Sequence, residues 1–366
     1  MVKKLSLLTF ILIFIVSCHN EKSIKIIAKN SINILRPAET IEVSIANAYE
    51  YQVMNSDGEI IPSQVIHEDG ETDLLIFQTD FEFLESKEFK LVKIEKKEFP
   101  TKTFARSVPE REDDFAWEND KIAFRMYSQK LAAKENVDSG IDVWVKKVPY
   151  LIIDKWYKSG HYHDDHGEGL DFYKVGPSRG CGGLGILFDE KIHGTGGYSS
   201  NKVIANGPIR SIFELAYETF EIDGKHYSEV RRISIDAGSN FNKIESNIKC
   251  LDEIELAVGL KIHEEKGEVD YKKKKGFVSF WEYAGDKNDY LGTAILMKYT
   301  EMLEAKELDG HHVAIAKVNP GESFVYYTGA GWSKSGDFDT KGVWDNYVSK
   351  MALRINNPVK INIERN

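Results

Sequence analysis

The chain has 366 residues, with 48 Lys and Arg against 58 Asp and Glu, for a formal net charge of −10. That length suits one large or two moderate domains. The acidic balance argues against a nucleic-acid binder, which normally carries a basic surface, but an anionic substrate remains compatible with locally focused positive charge.

Lys3 and Lys4 precede an apolar stretch over 5–16 that is too short to span a bilayer and fits a secretory signal. Ile15, Val16, Ser17 and Cys18 match the lipobox of bacterial lipoproteins. Residues 1–17 therefore read as a signal peptide, Cys18 as the lipidation site and 18–23 as a tether. The chain would touch a membrane through the lipid anchor only. No strong acidic run follows Cys18, so the expected place is the outer membrane, with a periplasm-facing position favoured over the cell surface. Cys181 and Cys250 then remain, either as a disulfide, which export permits, or as two free thiols.

The body reads as strands. Short β-branched or alternating runs begin at Ile24, Ile41, Leu74 and Phe89 and predict a small N-terminal β-domain over 24–105. Residues 100–114, with Pro109, read as a linker. A large domain over 110–366 follows. Within it, 122–127 reads as a strand that places Ala123, Arg125 and Tyr127 on one face and Phe124 and Met126 on the other. Residues 142–145 read as another strand. A hairpin is predicted from 209–222 and 226–235 around Asp223-Gly224, followed by strands near 243–250, 277–283, 293–297, 313–318 and 324–328. Only 342–353 shows helical periodicity. The predicted fold class is all-β: a large antiparallel β-sandwich with a small N-terminal β-domain.

Between 161 and 173 the chain places His161, His163, Asp164, Asp165, His166, Glu168, Asp171 and Tyr173, interleaved with glycines. Such a density of titratable groups describes a polar pocket better than an apolar core, because each buried one needs a partner. If extended, His161 and His163 point the same way, and Asp165 or His166 could complete a metal set; nothing fixes a fourth ligand, and the expectation is no metal. The other chemistry uses His163 as proton acceptor and Tyr173 as proton donor, with Asp171 orienting one of them and His166 an alternative acid. Arg125 is suited to gripping a carboxylate; its structural alternative is pairing with Glu118 or another acid. Asn119 is a possible assistant, and Trp117 is placed with the substrate-binding residues. Arg179, among Gly176, Gly180 and Gly182, would bring positive charge to the same pocket. Lys272 to Lys275 form a basic hairpin tip, and Trp281, Tyr283, Trp332 and Trp344 could stack on sugars or fill a core. No GxSxG, Walker-type or dinucleotide glycine motif is present.

The run from Asp113 through Tyr127, Tyr162-His163, Gly167 through Gly176 and Asn206 through Arg210 resembles a family of exported bacterial proteins, once of unknown function, found in gene clusters for polysaccharide digestion. The characterised activity it points to is that of an ulvan oligosaccharide dehydratase. The resemblance implies a galactose-mutarotase-like sandwich. It also implies elimination of water across C4 and C5 of a non-reducing-end uronic acid, with uronate-containing, sulfated oligosaccharides as partners and no cofactor. In that reading Arg125 neutralises the substrate carboxylate, His163 takes the C5 proton and Tyr173 protonates the leaving hydroxyl. A polysaccharide lyase would use the same groups. A glycan-binding lipoprotein would not need them.

Overall fold

The computed structural model describes residues 24–67, 72–263, 267–284 and 289–365. Cys18 and the signal and tether segments lie outside the described residues. Among the described residues no helix is long and apolar enough to cross a membrane.

The runs expected near the N-terminus form two small sheets. In one, Ile24–Lys29 lies between Ser86–Val92 and the last strand of the chain, Lys360–Arg365. In the other, Arg36–Ile45 pairs with Asp73–Phe81, which also pairs with Ser63–Ile66. Alternation explains the packing: Ile26, Ile41, Val43, Leu75, Phe77, Phe89 and Leu91 turn inward, and Ile209 and Ile212 of the large body join the same cluster. The C-terminal strand thus belongs to the N-terminal sheet, where the sequence had assigned it to the large domain. The predicted linker also contains a strand, Phe104–Val108, which ends where Pro109 opens a short 3-10 turn.

The large body is an antiparallel β-sandwich. An eight-stranded sheet runs in the order Ser200–Ala205, Arg210–Ile222, Lys225–Asp236, Phe241–Lys249, Ser323–Trp332, Tyr290–Leu296, Phe277–Tyr283, Gly267–Lys272. Against it packs a five-stranded sheet built on Cys181–Phe188, Ile254–Lys261 and His311–Val318. The long hairpin forms as its sequence dictates: Asp223 and Gly224 take φ of 49° and 72°, the left-handed pair that a two-residue turn requires. The helix Lys341–Asn356 is capped by Thr340 and lays Trp344, Val348 and Ala352 on Phe241, Phe277, Trp281 and Leu296. Trp281 and Trp344 are therefore core residues. A Cβ on Gly292 would stand 2.5 Å from the Trp344 ring, so the close fit needs glycine.

A third sheet positions the site. Its order is Gly169–Asp171, Asp142–Lys146, Ile122–Met126, Asp114–Glu118, Phe104–Val108. One face, with Phe115, Trp117, Phe124, Met126, Val143 and Val145, joins the main core. The other carries Ala116, Ala123 and Trp144 and is covered by the helix Ile153–Ser159. That helix has no side-chain cap of its own. Instead Ile152 N–H donates to both Glu118 oxygens at 2.8 and 2.9 Å and Ile153 N–H to Oε1 at 2.7 Å, while Lys146 Nζ donates to Oε2 at 2.7 Å. A carboxylate here satisfies helix-end donors and a buried ammonium together. Glu118→Gln keeps an acceptor but leaves Lys146 without its counter-charge. Urea unfolding should show stability lower by about 1–3 kcal/mol, and an unchanged midpoint would contradict this role.

Candidate active site

Arg125 sits on the covered face of the third sheet, directly across from Asp142 in the strand ladder. Its Nη2 donates to Asp142 Oδ2 at 2.6 Å and to Asp171 Oδ2 at 3.2 Å, and its Nε lies 3.9 Å from Asp114 Oδ2. The guanidinium is boxed by the rings of Tyr127, Trp144 and Tyr162 at 5.3, 5.3 and 5.9 Å. Arg111 approaches the same group through Asp114, at 3.1 Å.

Three carboxyls around two guanidinium groups, mostly out of water, cannot all carry charge cheaply. Burial pushes the Asp114 carboxyl up to about 7 despite Arg125 and Arg111. Burial, with the Asp142 charge, holds Asp171 well above the usual carboxylate range. Burial works against the Arg125 charge, but Asp142 beside it keeps the guanidinium firmly protonated. Among the described residues, Arg125 Nε and Nη1, Asp114 Oδ1, Trp144 Nε1, Tyr157 Oη and Tyr173 Oη are buried without a hydrogen-bond partner. So many orphaned groups in one neighbourhood mark a place not organised for stability alone.

His163 reaches this cluster from outside. Its Nδ1 is 3.0 Å from the Asp171 carbonyl oxygen, which can only accept, and 3.5 Å from Asp171 Oδ2. Nδ1 therefore carries the proton and Nε2 is left with its lone pair. The side chain is 65% exposed, and its ring packs on Tyr162 at 4.5 Å. Arg125 and His163 thus meet on one carboxylate, with Arg125 locking Asp171 and Asp171 orienting the imidazole. The segment 161–168 folds as turns, so His161 and His163 do not form the extended pair that the metal reading required. Among the described residues no group of three or more His, Cys, Asp or Glu side chains is arranged to hold a metal ion.

The other expected site residues divide. Tyr173 follows Asp171 by two positions but turns into the main core beside Tyr127. Its hydroxyl is orphaned, and its ring stands edge-on to His263 at 4.9 Å. Burial holds its phenol well above the ordinary tyrosine value. His166 lies on the exposed loop and lines a cavity of about 490 Å³ with His161, Asp164, Trp156 and Glu168. Trp117 is not available to a sugar: it is fully buried and its Nε1 donates to Asn242 Oδ1 at 2.7 Å. Asn119 is a turn residue; Oδ1 accepts from Lys121 and Ile122 N–H, and Nδ2 donates to Asp236 and Ser239 carbonyls at 2.6 Å. Arg179 is buried against Asp138 and Ser139. Arg125 is only 4% exposed and already committed to two carboxylates, so it positions Asp171 and does not meet solvent as a free carboxylate grip. Cys181 and Cys250 are both free thiols.

Asp114, Asp142, Tyr157 and Tyr162 around Arg125, and His263 with Glu282 beside Tyr173, join the site without having been expected from the sequence. Asp114 and Tyr162 fall inside the motifs that carry the family resemblance, but Asp142 joins only through strand register. His263 Nδ1 is 2.8 Å from Glu282 Oε2 across 19 residues of chain, a contact no local spacing announces.

The architecture is that of an antiparallel β-sandwich protein with a charge-rich centre on the helix-covered face of an accessory sheet. The chain belongs to the family described as a domain of unknown function (DUF4861), which matches residues 28–361. It is similar to an uncharacterised protein, P7, of Formosa agariphila, 34% identical over 370 residues that cover 93% of each chain. Two solved structures share the fold. One is an alpha-mannosidase from Enterococcus faecalis V583, with a TM-score of 0.53, 10% identity, and coverage of 93% of this chain and 46% of that one. The other is a protein in the glycosyl hydrolase family 38 from Enterococcus faecalis, with a TM-score of 0.51, 11% identity, and coverage of 94% and 48%. The chain spans about half the length of these two structures, and at such identities the likeness concerns fold alone.

Proposed function

We propose that the protein is a carbohydrate-active enzyme, a dehydratase that eliminates water across C4 and C5 of the non-reducing-end uronic acid of ulvan-derived, sulfated oligosaccharides. The observation that carries this reading is the His163–Asp171–Arg125 arrangement: an exposed imidazole whose Nδ1 is held by a buried, guanidinium-locked aspartate, leaving Nε2 to accept a proton. The sandwich fold, shared with the two sugar-hydrolase structures, and the family motifs support a sugar substrate.

In this reading His163 Nε2 takes the C5 proton. The electrons of that C–H bond form the C4=C5 double bond, and the C4–O bond breaks. Hydroxide is a poor leaving group, so an acid must meet it; the buried Tyr173 phenol, held protonated, gives up its proton and water departs. The proton delivered to the departing oxygen neutralises the charge that would otherwise build on it as the C4–O bond breaks. The substrate carboxylate must also be neutralised for C5 to become acidic. Because Arg125 is enclosed, we assign this to Lys147, which is partly exposed, ion-paired with Asp165 of the histidine loop, and 5.0 Å over the Trp332 ring. The reaction as written uses no cofactor. Lipid anchoring through Cys18 at a periplasm-facing outer membrane is part of the same proposal.

The test is incubation of the purified protein with saturated uronate-ended oligosaccharides. Absorbance in the ultraviolet should rise as the conjugated uronyl end forms. No product across a panel of ulvan fragments would remove this activity.

A further inference from the structure

Tyr173, His263 and Glu282 form a second group of polar side chains, the Tyr173 ring standing edge-on to His263 and His263 pairing with Glu282. The Glu282 side chain is 3% exposed and that of His263 21%. His263 lies between two acceptors: Nε2 is 3.2 Å from the Lys174 carbonyl and Nδ1 is 2.8 Å from Glu282 Oε2. A carbonyl oxygen can only accept, so Nε2 carries a proton. The Nδ1 contact then holds a second proton shared between imidazole and carboxyl. Whichever partner holds it, the proton lies on the Oε2 side, and Glu282 Oε1 is left as an acceptor. Among the described residues Oε1 has no hydrogen-bond partner, and neither does the Tyr173 hydroxyl. Both groups flank the His263 ring, Tyr173 edge-on at 4.9 Å and Glu282 through Nδ1 at 2.8 Å.

An orphaned acceptor and an orphaned phenol on the two neighbours of one imidazole call for a group that both donates and accepts. A carboxylate or sulfate would be repelled by Glu282 and has no proton to offer Oε1. A sugar hydroxyl does both. We propose that Tyr173 and Glu282, the latter fixed by His263, form a subsite for one hydroxyl of the sugar, the C4 hydroxyl that leaves. The hydroxyl donates to Glu282 Oε1 and accepts from Tyr173, so the leaving oxygen already rests on the proton it will take. The identity of that hydroxyl rests on the dehydratase reading; the chemistry of the subsite does not. His263 is a positioning residue, acting through Glu282, whereas Glu282 and Tyr173 both touch the leaving hydroxyl.

The orphaned state also has a consequence for stability. Tyr173→Phe removes a buried hydroxyl that makes no hydrogen bond, so the variant should unfold at the same or higher denaturant concentration than the parent. A merely structural tyrosine would show the reverse.

Recognition is tested by calorimetry on the full chain carrying His163→Ala, which preserves the hydroxyl. The probes are a saturated uronate-ended disaccharide and its 4-deoxy analogue. The hydroxyl-bearing sugar should bind about 10–100-fold more tightly. Adding Tyr173→Phe or Glu282→Leu, which removes the acceptor, should cut that ratio to about 3-fold or less, with affinity for the 4-deoxy sugar little changed. Equal binding of the two sugars, or a ratio untouched by both substitutions, overturns the subsite. Water loss by the wild type without hydroxyl discrimination would overturn the subsite alone. Discrimination without water loss would support the subsite and overturn the dehydratase, and no binding of either sugar would overturn both.

Discussion

His163→Ala should lower turnover of a saturated uronate-ended oligosaccharide by about 10²–10⁴-fold, the usual worth of one proton-transfer residue. The fold should be untouched. The imidazole is 65% exposed, and its ring holds only the contact with Tyr162 and the Nδ1 bond to Asp171, so thermal unfolding of the variant should lie close to that of the wild type. The partition between kinetic constants is informative. An imidazole that acts only as base lowers kcat and leaves KM nearly unchanged, whereas one that mainly binds the sugar raises KM. Near-normal kcat would remove His163 from the mechanism.

Arg125→Leu should be the most destabilising substitution at the site, costing about 3–5 kcal/mol at pH 8, because it leaves three buried carboxyls with one fewer counter-charge. The cost should depend on pH, and its sign follows from the titrations. Asp114, Asp142 and Asp171 all have folded pKa values raised above the unfolded 3.8, Asp114 to about 7. The native state therefore binds more protons than the unfolded chain between about pH 4 and 7, and stability falls as pH rises through that window. Removing Arg125 lifts all three carboxyls further, so the variant should lie nearest the wild type around pH 4 and furthest from it by pH 8. Urea unfolding at a series of pH values measures this. A constant difference would mean that the guanidinium acts through packing against Tyr127, Trp144 and Tyr162, and not through charge.

Much of the fold is legible because strands announce themselves by alternation. The hairpin around Asp223-Gly224 and the two faces of Ile122–Met126 follow from residue pattern alone, and Arg125 duly opposes the core side of Phe124 and Met126. The helices Gln129–Glu135 and Ile153–Ser159 were missed for a physical reason: each has seven residues, and the second owes its start to Glu118, a residue of a distant strand. Site partners follow the same division. Asp171 and His163 lie eight residues apart and could be read as a pair; Asp142 meets Arg125 only through the register of two strands, and Glu282 meets His263 only through tertiary packing. Trp117 and Asn119 misled because an aromatic and an amide beside a charged motif look alike whether they face a ligand or hold a hairpin.

Mass spectrometry of a defined saturated uronate-ended oligosaccharide, before and after incubation with wild-type protein, reads the elimination itself. The expected product has an unchanged chain length and is lighter by one water, formed by the wild type and lost with His163→Ala. Fragments of the sugar chain would instead identify a glycan-cleaving lyase, and an unchanged mass under conditions where the sugar binds would contradict the elimination altogether.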